Sequence, residues 1–301
     1  MGSRSRELVE RLRSGPPLLL DGAMGTELER RGVATPLPLW SAPALFERPE
    51  LVEAIHADYV AAGVEILTAN TFRTQRRTLA RGGWGDRAEA ATRRAVELAR
   101  SAAARAASAV FVVGSAPPLE DCYRCDLVPD DASLAREHAE HAEHLARAGV
   151  DAVLIETMNT LREAQAALRA ARDVGLPAWV GFVCWDGASL LSGEPLSGAA
   201  RRVADEGARA VLVNCLPPAN VATCLPALAH SGVPFGAYAN LGVPDPVSGF
   251  ARQDEAGPEA FAAHVAVWCE AGARIVGGCC GTTPEHLHAI ARRLARLKNV
   301  T

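Results

Sequence analysis

The sequence predicts an α/β protein of the (β/α)8 barrel class. Three observations carry this prediction. A helical stretch ending in a small residue and glycine is followed, again and again, by a short β-branched run. "YVAAGVEILTAN", "LARAGVDAVLIET" and "VADEGARAVLVNC" are three of six such passages. The strand-like runs are apolar throughout, which suits strands covered on both faces, as in a parallel sheet. There are eight of them with helix-like segments between, and eight alternating βα units close naturally into a barrel. A doubly wound open sheet is the other architecture this pattern allows.

The elements follow in order. "MGSRSRELVERLRSG" lacks the apolar core of a secretory signal and reads as a short amphipathic helix. The eight strand candidates are "PLLLDG", "EILTAN", "AVFVVGS", "AVLIET", "AWVGFV", "AVLVNC", "FGAYAN" and "RIVGG". The clearest helices span 86–107, 132–148, 161–173, 258–271 and 284–297. Two begin with start signals: Pro258 follows Gly257, and Pro284 follows Thr283, a good N-cap residue. The glycines between helix and strand suit the left-handed position that stops a helix. No linker or low-complexity segment interrupts the series, so residues 1–301 are expected to form one barrel domain.

Composition narrows the function. The 301 residues are 49% hydrophobic with a formal net charge of −4 and no basic block. Neither nucleic acid nor a membrane surface is an expected partner, and no apolar stretch is long enough to span a bilayer. A cytoplasmic location is expected. The eight cysteines then point to metal binding, catalysis or core packing rather than disulfides. Nothing in the sequence sets an oligomeric state.

Barrel chemistry collects at the C-terminal ends of the strands. Those ends carry Asp21-Gly22, Thr68 to Phe72, Gly114-Ser115, Glu156-Thr157, Cys184, Asn214-Cys215, Tyr238 to Asn240 and Cys279-Cys280. Cys215 ends the sixth strand, and the adjacent pair ends the eighth. With one strand between, three thiols could converge near the barrel axis. Three thiolates are a soft donor set that suits zinc, and they leave a fourth position open for a substrate. A substrate thiol there would lose its proton at neutral pH. Gly277, Gly278 and Gly281 are expected to let the backbone turn tightly at the pair. The competing reading makes these cysteines small buried hydrophobes.

Several passages together resemble the homocysteine S-methyltransferase family. They are "LLLDGAMGTELERRG", "PLWSAPALFERPELVEAIHADYVAAGVEILTANTF", "LIETM", "VNC" and "GGCCGTTPEHL", and they cover nearly the whole chain. The resemblance implies a (β/α)8 barrel, zinc held by Cys215, Cys279 and Cys280, and methyl transfer to homocysteine, giving methionine. It also implies that Asp21-Gly22 and Glu156 bind the amino-acid end of homocysteine. A carboxylate at 156 can pair with an ammonium, and the "DGAMGT" turn offers backbone N–H groups to a carboxylate. Asp21 as a turn cap and Glu156 as a structural ion pair are the alternatives. Trp40 and Phe72 match aromatic positions on the donor side, suited to a cationic donor, with ordinary packing as the alternative. Position 72 is often tyrosine in the family, so Phe72 without its hydroxyl bears on donor choice.

A sulfonium donor is expected, S-methylmethionine ahead of S-adenosylmethionine. A chain of 301 residues has no room for separate folate and cobalamin domains. The short tail "KNVT" lowers the betaine-like option, since a longer extension is expected there. Another thiol or a selenol as acceptor is an alternative with the same fold and metal. A non-catalytic zinc- or thiol-binding barrel is the alternative of a different class.

Two other patterns are set apart. "CYRC" at 122–125 has CxxC spacing without a second pair, in a long loop after the third strand, and is expected to be a lid or structural element. "EHAEHAEH" spaces His138, His141 and His144 by three, and its interleaved glutamates suggest a solvated face. Cys184 is expected to lie near the site without a ligand role, and Cys224 and Cys269 in the core.

Overall fold

The computed structural model describes residues 1–245, 249–252 and 256–298. The last three residues of the "KNVT" tail lie outside the described residues. Among the described residues ten strands run in chain order: β1 Leu18–Leu19, β2 Ile66–Ala69, β3 Phe111–Ala116, β4 Ala152–Met158, β5 Ala178–Phe182, β6 Ala210–Asn214, β7 Phe235–Ala239, β8 Gly242–Asp245, β9 Gly249–Arg252 and β10 Ile275–Gly278. Eight of them form one parallel sheet in the order β1-β10-β7-β6-β5-β4-β3-β2. A parallel bridge between Leu20 and Ile66 joins the first of these to the last. The sheet is therefore a nearly closed barrel, and the open doubly wound alternative falls away.

All five helices marked in the sequence are present. They run Ala88–Ala103, Asp131–Ala148, Leu161–Asp173, Pro258–Glu270 and Pro284–Lys298. The first begins two residues later than expected, because Gly85–Arg87 forms a 3-10 turn instead. Asp130 caps the second by accepting a bond from the Ser133 N–H, and Thr160 caps the third in the same way through Glu163.

Strand alternation divides the core in two. Leu18, Leu20, Ile66, Phe111, Val113, Leu154, Trp179, Leu212 and Ile275 face the axis and fill the barrel. Their neighbours Leu19, Leu67, Val112, Val153, Val180, Val211 and Val276 face outward and pack under the helices. The N-terminal helix Ser3–Ser14 puts Leu8 and Leu12 into the inner cluster. It is a plug. Arg4 pairs with Asp151, and Arg11 with Glu65, at the plug's edge.

The β8–β9 hairpin is antiparallel and lies between the seventh barrel strand and the next helix. The sequence does not announce it. "GVPDP" carries two prolines and no alternation, so pairing rather than propensity defines it.

Candidate metal and substrate site

Following the inward parity upward predicts the floor of the site. Two residues beyond Ile66 comes Thr68; beyond Val113, Ser115; beyond Leu154, Glu156; and beyond Leu212, Asn214. Beyond Gly277 comes Cys279. A cavity of about 340 Å³ opens here, within the range of small-molecule sites. Its wall includes Thr68, Ser115, Glu156, Tyr238 and Cys279. It also brings together Asp21, Gly22, Trp40, Phe72, Cys215 and Cys280, so every residue expected to bind metal or substrate lines one cavity.

Cys215 gets there by breaking the alternation. It follows the inward Asn214 and would otherwise face the outer helices. A left-handed backbone, φ 57°, turns it back. Thr157 after Glu156 does the same at φ 60°, where the β4–β5 register shifts. Trp40 is the third such residue, at φ 46°. These are all the non-glycine residues of positive φ among the described residues. Trp40, Thr157 and Cys215 all line this cavity, so the costly backbone is concentrated there.

Asn214 holds the two kinks together. Its Nδ2 donates to the Thr157 hydroxyl at 2.9 Å and to the Cys215 sulfur at 3.2 Å. Its Oδ1 accepts from the Thr157 N–H at 3.0 Å. The Cys215 and Cys279 sulfurs are 3.4 Å apart. Two thiolates on one tetrahedral ion stand about 3.8 Å apart, so this spacing fits a shared soft metal. Among the described residues no group of three or more histidine, cysteine, aspartate or glutamate side chains is placed to hold a metal ion. As free thiols, the cysteines bond to each other. The bond to Cys279, with burial, holds the Cys215 thiol well above its usual pKa. For Cys279 the bond to Cys215 pulls down, but a bond to Cys280 and burial win, and its pKa is raised.

The glycines next to the pair act differently from the expectation. Gly277 and Gly278 belong to β10 and do not form a turn. A Cβ on Gly277 would sit 2.8 Å from that of Leu20, and one on Gly278 2.3 Å from the Thr282 hydroxyl. They permit close packing, and only Gly281, at φ 82°, supplies the left-handed step.

The carboxylates sit lower in the cavity. Glu156 accepts hydrogen bonds from the Ser115 hydroxyl and, at 3.0 Å, from Tyr238. Burial raises its pKa to about 7. Asp21 accepts from the Thr68 N–H at 2.8 Å and the Thr68 hydroxyl at 2.9 Å, and burial raises its pKa to about 8. No arginine or lysine pairs with Glu156 among the described residues, so the structural ion-pair alternative has no partner. Asp21 links the end of β1 to Thr68 of β2, a bond between strands rather than the turn cap the sequence offered. The N–H groups of Gly22, Ala23 and Met24 meet no acceptor among the described residues and line the cavity.

Trp40 and Phe72 meet edge to face, ring centres 6.1 Å apart. Ser41 and Asn70 tie the Trp40 segment to β2 through two mutual hydrogen bonds. From the loop after β3, Asp121, Cys122, Tyr123 and Arg124 cover the cavity. Tyr123 stacks on Trp185, which itself donates to the Cys215 carbonyl. The lid expectation for "CYRC" matches this placement. Cys122 and Cys125 are free thiols. Cys184 and Cys224 belong to the outer core and neither lines the cavity, contrary to the expectation that places Cys184 near the site; Cys269 packs against that core.

The three histidines depart from expectation. His138, His141 and His144 are all buried. His138 meets Glu163 at 3.2 Å, and His141 meets the Ser115 carbonyl at 3.0 Å. A step of three residues is 300° around a helix, so three histidines drift only slowly and stay on the inner flank. Of the interleaved glutamates only Glu143 is exposed, pairing with Arg147, while Glu137 and Glu140 are partly buried and pair with Arg77 and Arg76.

The homocysteine S-methyltransferase family model matches residues 18–294. The chain belongs to the homocysteine S-methyltransferase family. Among its relatives, homocysteine S-methyltransferase YbgG of Bacillus subtilis is 32% identical, across 94% of this chain and 96% of its own. A selenocysteine Se-methyltransferase of Brassica oleracea is 28% identical, across 95% and 91%. The homocysteine methyltransferase MmuM of Escherichia coli, solved in a metallated form, superposes with a TM-score of 0.84 at 30% identity. That match covers 97% of this chain and all of the other. As a family member the chain is a methyltransferase of barrel fold that acts on small molecules. No helix among the described residues is long and apolar enough to cross a membrane.

Proposed function

We propose that this chain transfers a methyl group from a sulfonium donor to the thiol of homocysteine, forming methionine. S-methylmethionine is the preferred donor, ahead of S-adenosylmethionine. The observation that carries the reading is the 3.4 Å approach of the Cys215 and Cys279 sulfurs beside the unpaired, buried Glu156. Cys215, Cys279 and Cys280 would hold zinc, which when bound lowers the pKa of a substrate thiol.

The protein's own groups then position the reactants. Glu156, held by Ser115 and Tyr238, offers a carboxylate to the homocysteine ammonium. Asp21, which burial keeps largely protonated near neutral pH, stands nearby as a neutral hydrogen-bonding group, and the free N–H groups of residues 22–24 suit the substrate carboxylate. Trp40 and Phe72 offer aromatic surface to the donor cation. The homocysteine sulfur attacks the methyl carbon in line. The bond to the donor sulfur breaks with its electron pair, and the donor leaves as a neutral thioether. Alignment of sulfur and methyl is the main contribution the site makes. A cytoplasmic setting, where thiols stay reduced, is part of the same proposal.

A second reading keeps the metal and fold but takes a selenol or another thiol as acceptor. The likeness to a selenocysteine Se-methyltransferase favours considering it. A panel of donors with homocysteine and selenocysteine, read by mass spectrometry, separates the two. Methionine formed fastest from S-methylmethionine supports the first reading. Methylation of selenocysteine alone overturns it.

A further inference from the structure

One cation in the cavity wall has no ion-pair partner among the described residues. Arg73 follows Phe72 just past β2 and lines the cavity. Its Nε is closed off from solvent and makes no hydrogen bond. Its neighbours on the next helical turn are fully engaged. Arg76 pairs with Glu140, and Arg77 with Glu137 and Glu120. Arg73 has no such carboxylate among the described residues. Its guanidinium instead lies over the Phe72 ring, 5.1 Å from the centre. Asp121 is the acidic group on the facing lid, but its Oδ1 accepts from the Tyr123 N–H. Arg81, Cys122 and Tyr123 are the other titratable groups around it.

A guanidinium stays charged, and burying one without a counter-ion is costly. The cost is harder to understand in a site that takes a positive donor, because the two cations would repel. The conflict disappears if the donor brings its own anion. A guanidinium is a fork that matches a carboxylate with two parallel hydrogen bonds. The acceptor's carboxylate already has the free N–H groups at 22–24. Phe72 gives a face to Arg73 and an edge contact to Trp40, so aromatic surface and cation form one continuous wall.

The geometry points to Arg73 as the residue that reads the carboxylate of the methyl donor, so that the enzyme takes sulfonium donors carrying a carboxylate and discriminates against those without one. This rests on the methyl-transfer reading above and names the donor class for it.

The test is equilibrium binding by titration calorimetry, with homocysteine absent. S-methylmethionine and its carboxamide are each titrated into the wild-type chain, Arg73→Met and Arg73→Lys. Wild type should prefer the acid over the amide by about tenfold to a hundredfold, the worth of a charge-assisted pair. Arg73→Met should bind both alike, and Arg73→Lys should recover part of the preference. In turnover, Arg73→Met should raise the KM for S-methylmethionine and shift that for homocysteine by no more than about twofold. A wild type indifferent to acid or amide overturns the inference, as does a methionine variant that keeps the preference. So does a KM for homocysteine that rises as much as the donor's. If Arg73→Met does not fold, the wild-type ratio and the lysine variant decide. A wild type that keeps the acid preference but forms no methionine overturns the methyl-transfer reading and leaves carboxylate recognition by Arg73 standing.

Discussion

The two mouths of the barrel are built on opposite principles. The N-terminal mouth is stopped by the helix Ser3–Ser14, whose Leu8 and Leu12 join the inner apolar cluster. Its polar groups are paired, as Arg4 and Arg100 are with Asp151. The C-terminal mouth has Trp40, Thr157 and Cys215 in left-handed backbone, two buried carboxylates of raised pKa, and thiols in contact. One end satisfies its groups and adds stability. The other leaves groups unsatisfied, and unsatisfied buried groups are what a ligand can engage. The same alternation of side chains serves both ends; only the residue types along each strand change.

That contrast predicts which measurement each substitution should move. The largest effect is expected at the thiols. Purified protein should hold about one zinc per chain, and Cys280→Ala should lose both the metal and all methyl transfer while the barrel still melts cooperatively. A variant that kept its metal would break the comparison at its centre. Glu156→Gln comes next. It keeps the hydrogen bonds of Ser115 and Tyr238 in large part but removes the charge, so kcat/KM for homocysteine should fall about tenfold to a hundredfold. Its melting temperature should hold or rise, since a buried unpaired carboxylate is gone. Asn214→Ala frees the Cys215 sulfur and should weaken zinc binding by about tenfold or more, as loss of a group that orients a ligand does. Competition with a chromophoric chelator measures it.

At the other mouth the pattern should reverse. Leu12→Ala should cost about 2–5 kcal/mol of stability in denaturant titrations and leave kcat unchanged at temperatures where the variant is folded. The smallest expected effect is a pH slope. Burial raises the Asp21 pKa from 3.8 to about 8. The folded state therefore holds this proton more tightly than the unfolded chain. The contribution is present at low pH and is lost as pH rises through about 8, so stability from this group falls between about pH 4 and 8. Asp21→Asn should flatten that dependence, as read from melting temperature against pH.

Much of this was legible without coordinates. Eight apolar runs, six of them after helix-stopping glycines, gave the barrel, since a strand covered on both faces must be apolar whatever its neighbours. The strand-end rule then put Asp21, Glu156, Cys215 and the Cys279-Cys280 pair on one rim, and they share one cavity. The histidines show where residue type misleads. Glutamates beside them looked like a solvated face, yet helix phase turns the two sets to different sides. Ser115, Asn214 and Tyr238 stood at strand ends with no role attached. A polar residue at an inward position above an apolar strand was the signal for each. Arg73 gave no signal, because an arginine in a loop is ordinary until its surroundings are known to offer it no ion-pair partner.

The sequence by itself determined the period of the chain: which segments are strands, which residues end them, and hence the barrel and the collection of thiols and carboxylates. Those follow from local propensity and burial, which neighbours along the chain fix. The tertiary structure decided the reversal of Cys215 into the cavity, the plug at the far mouth and the solitary charge of Arg73. Each depends on groups far apart in sequence being present or absent at one point in space. No local pattern encodes an absence.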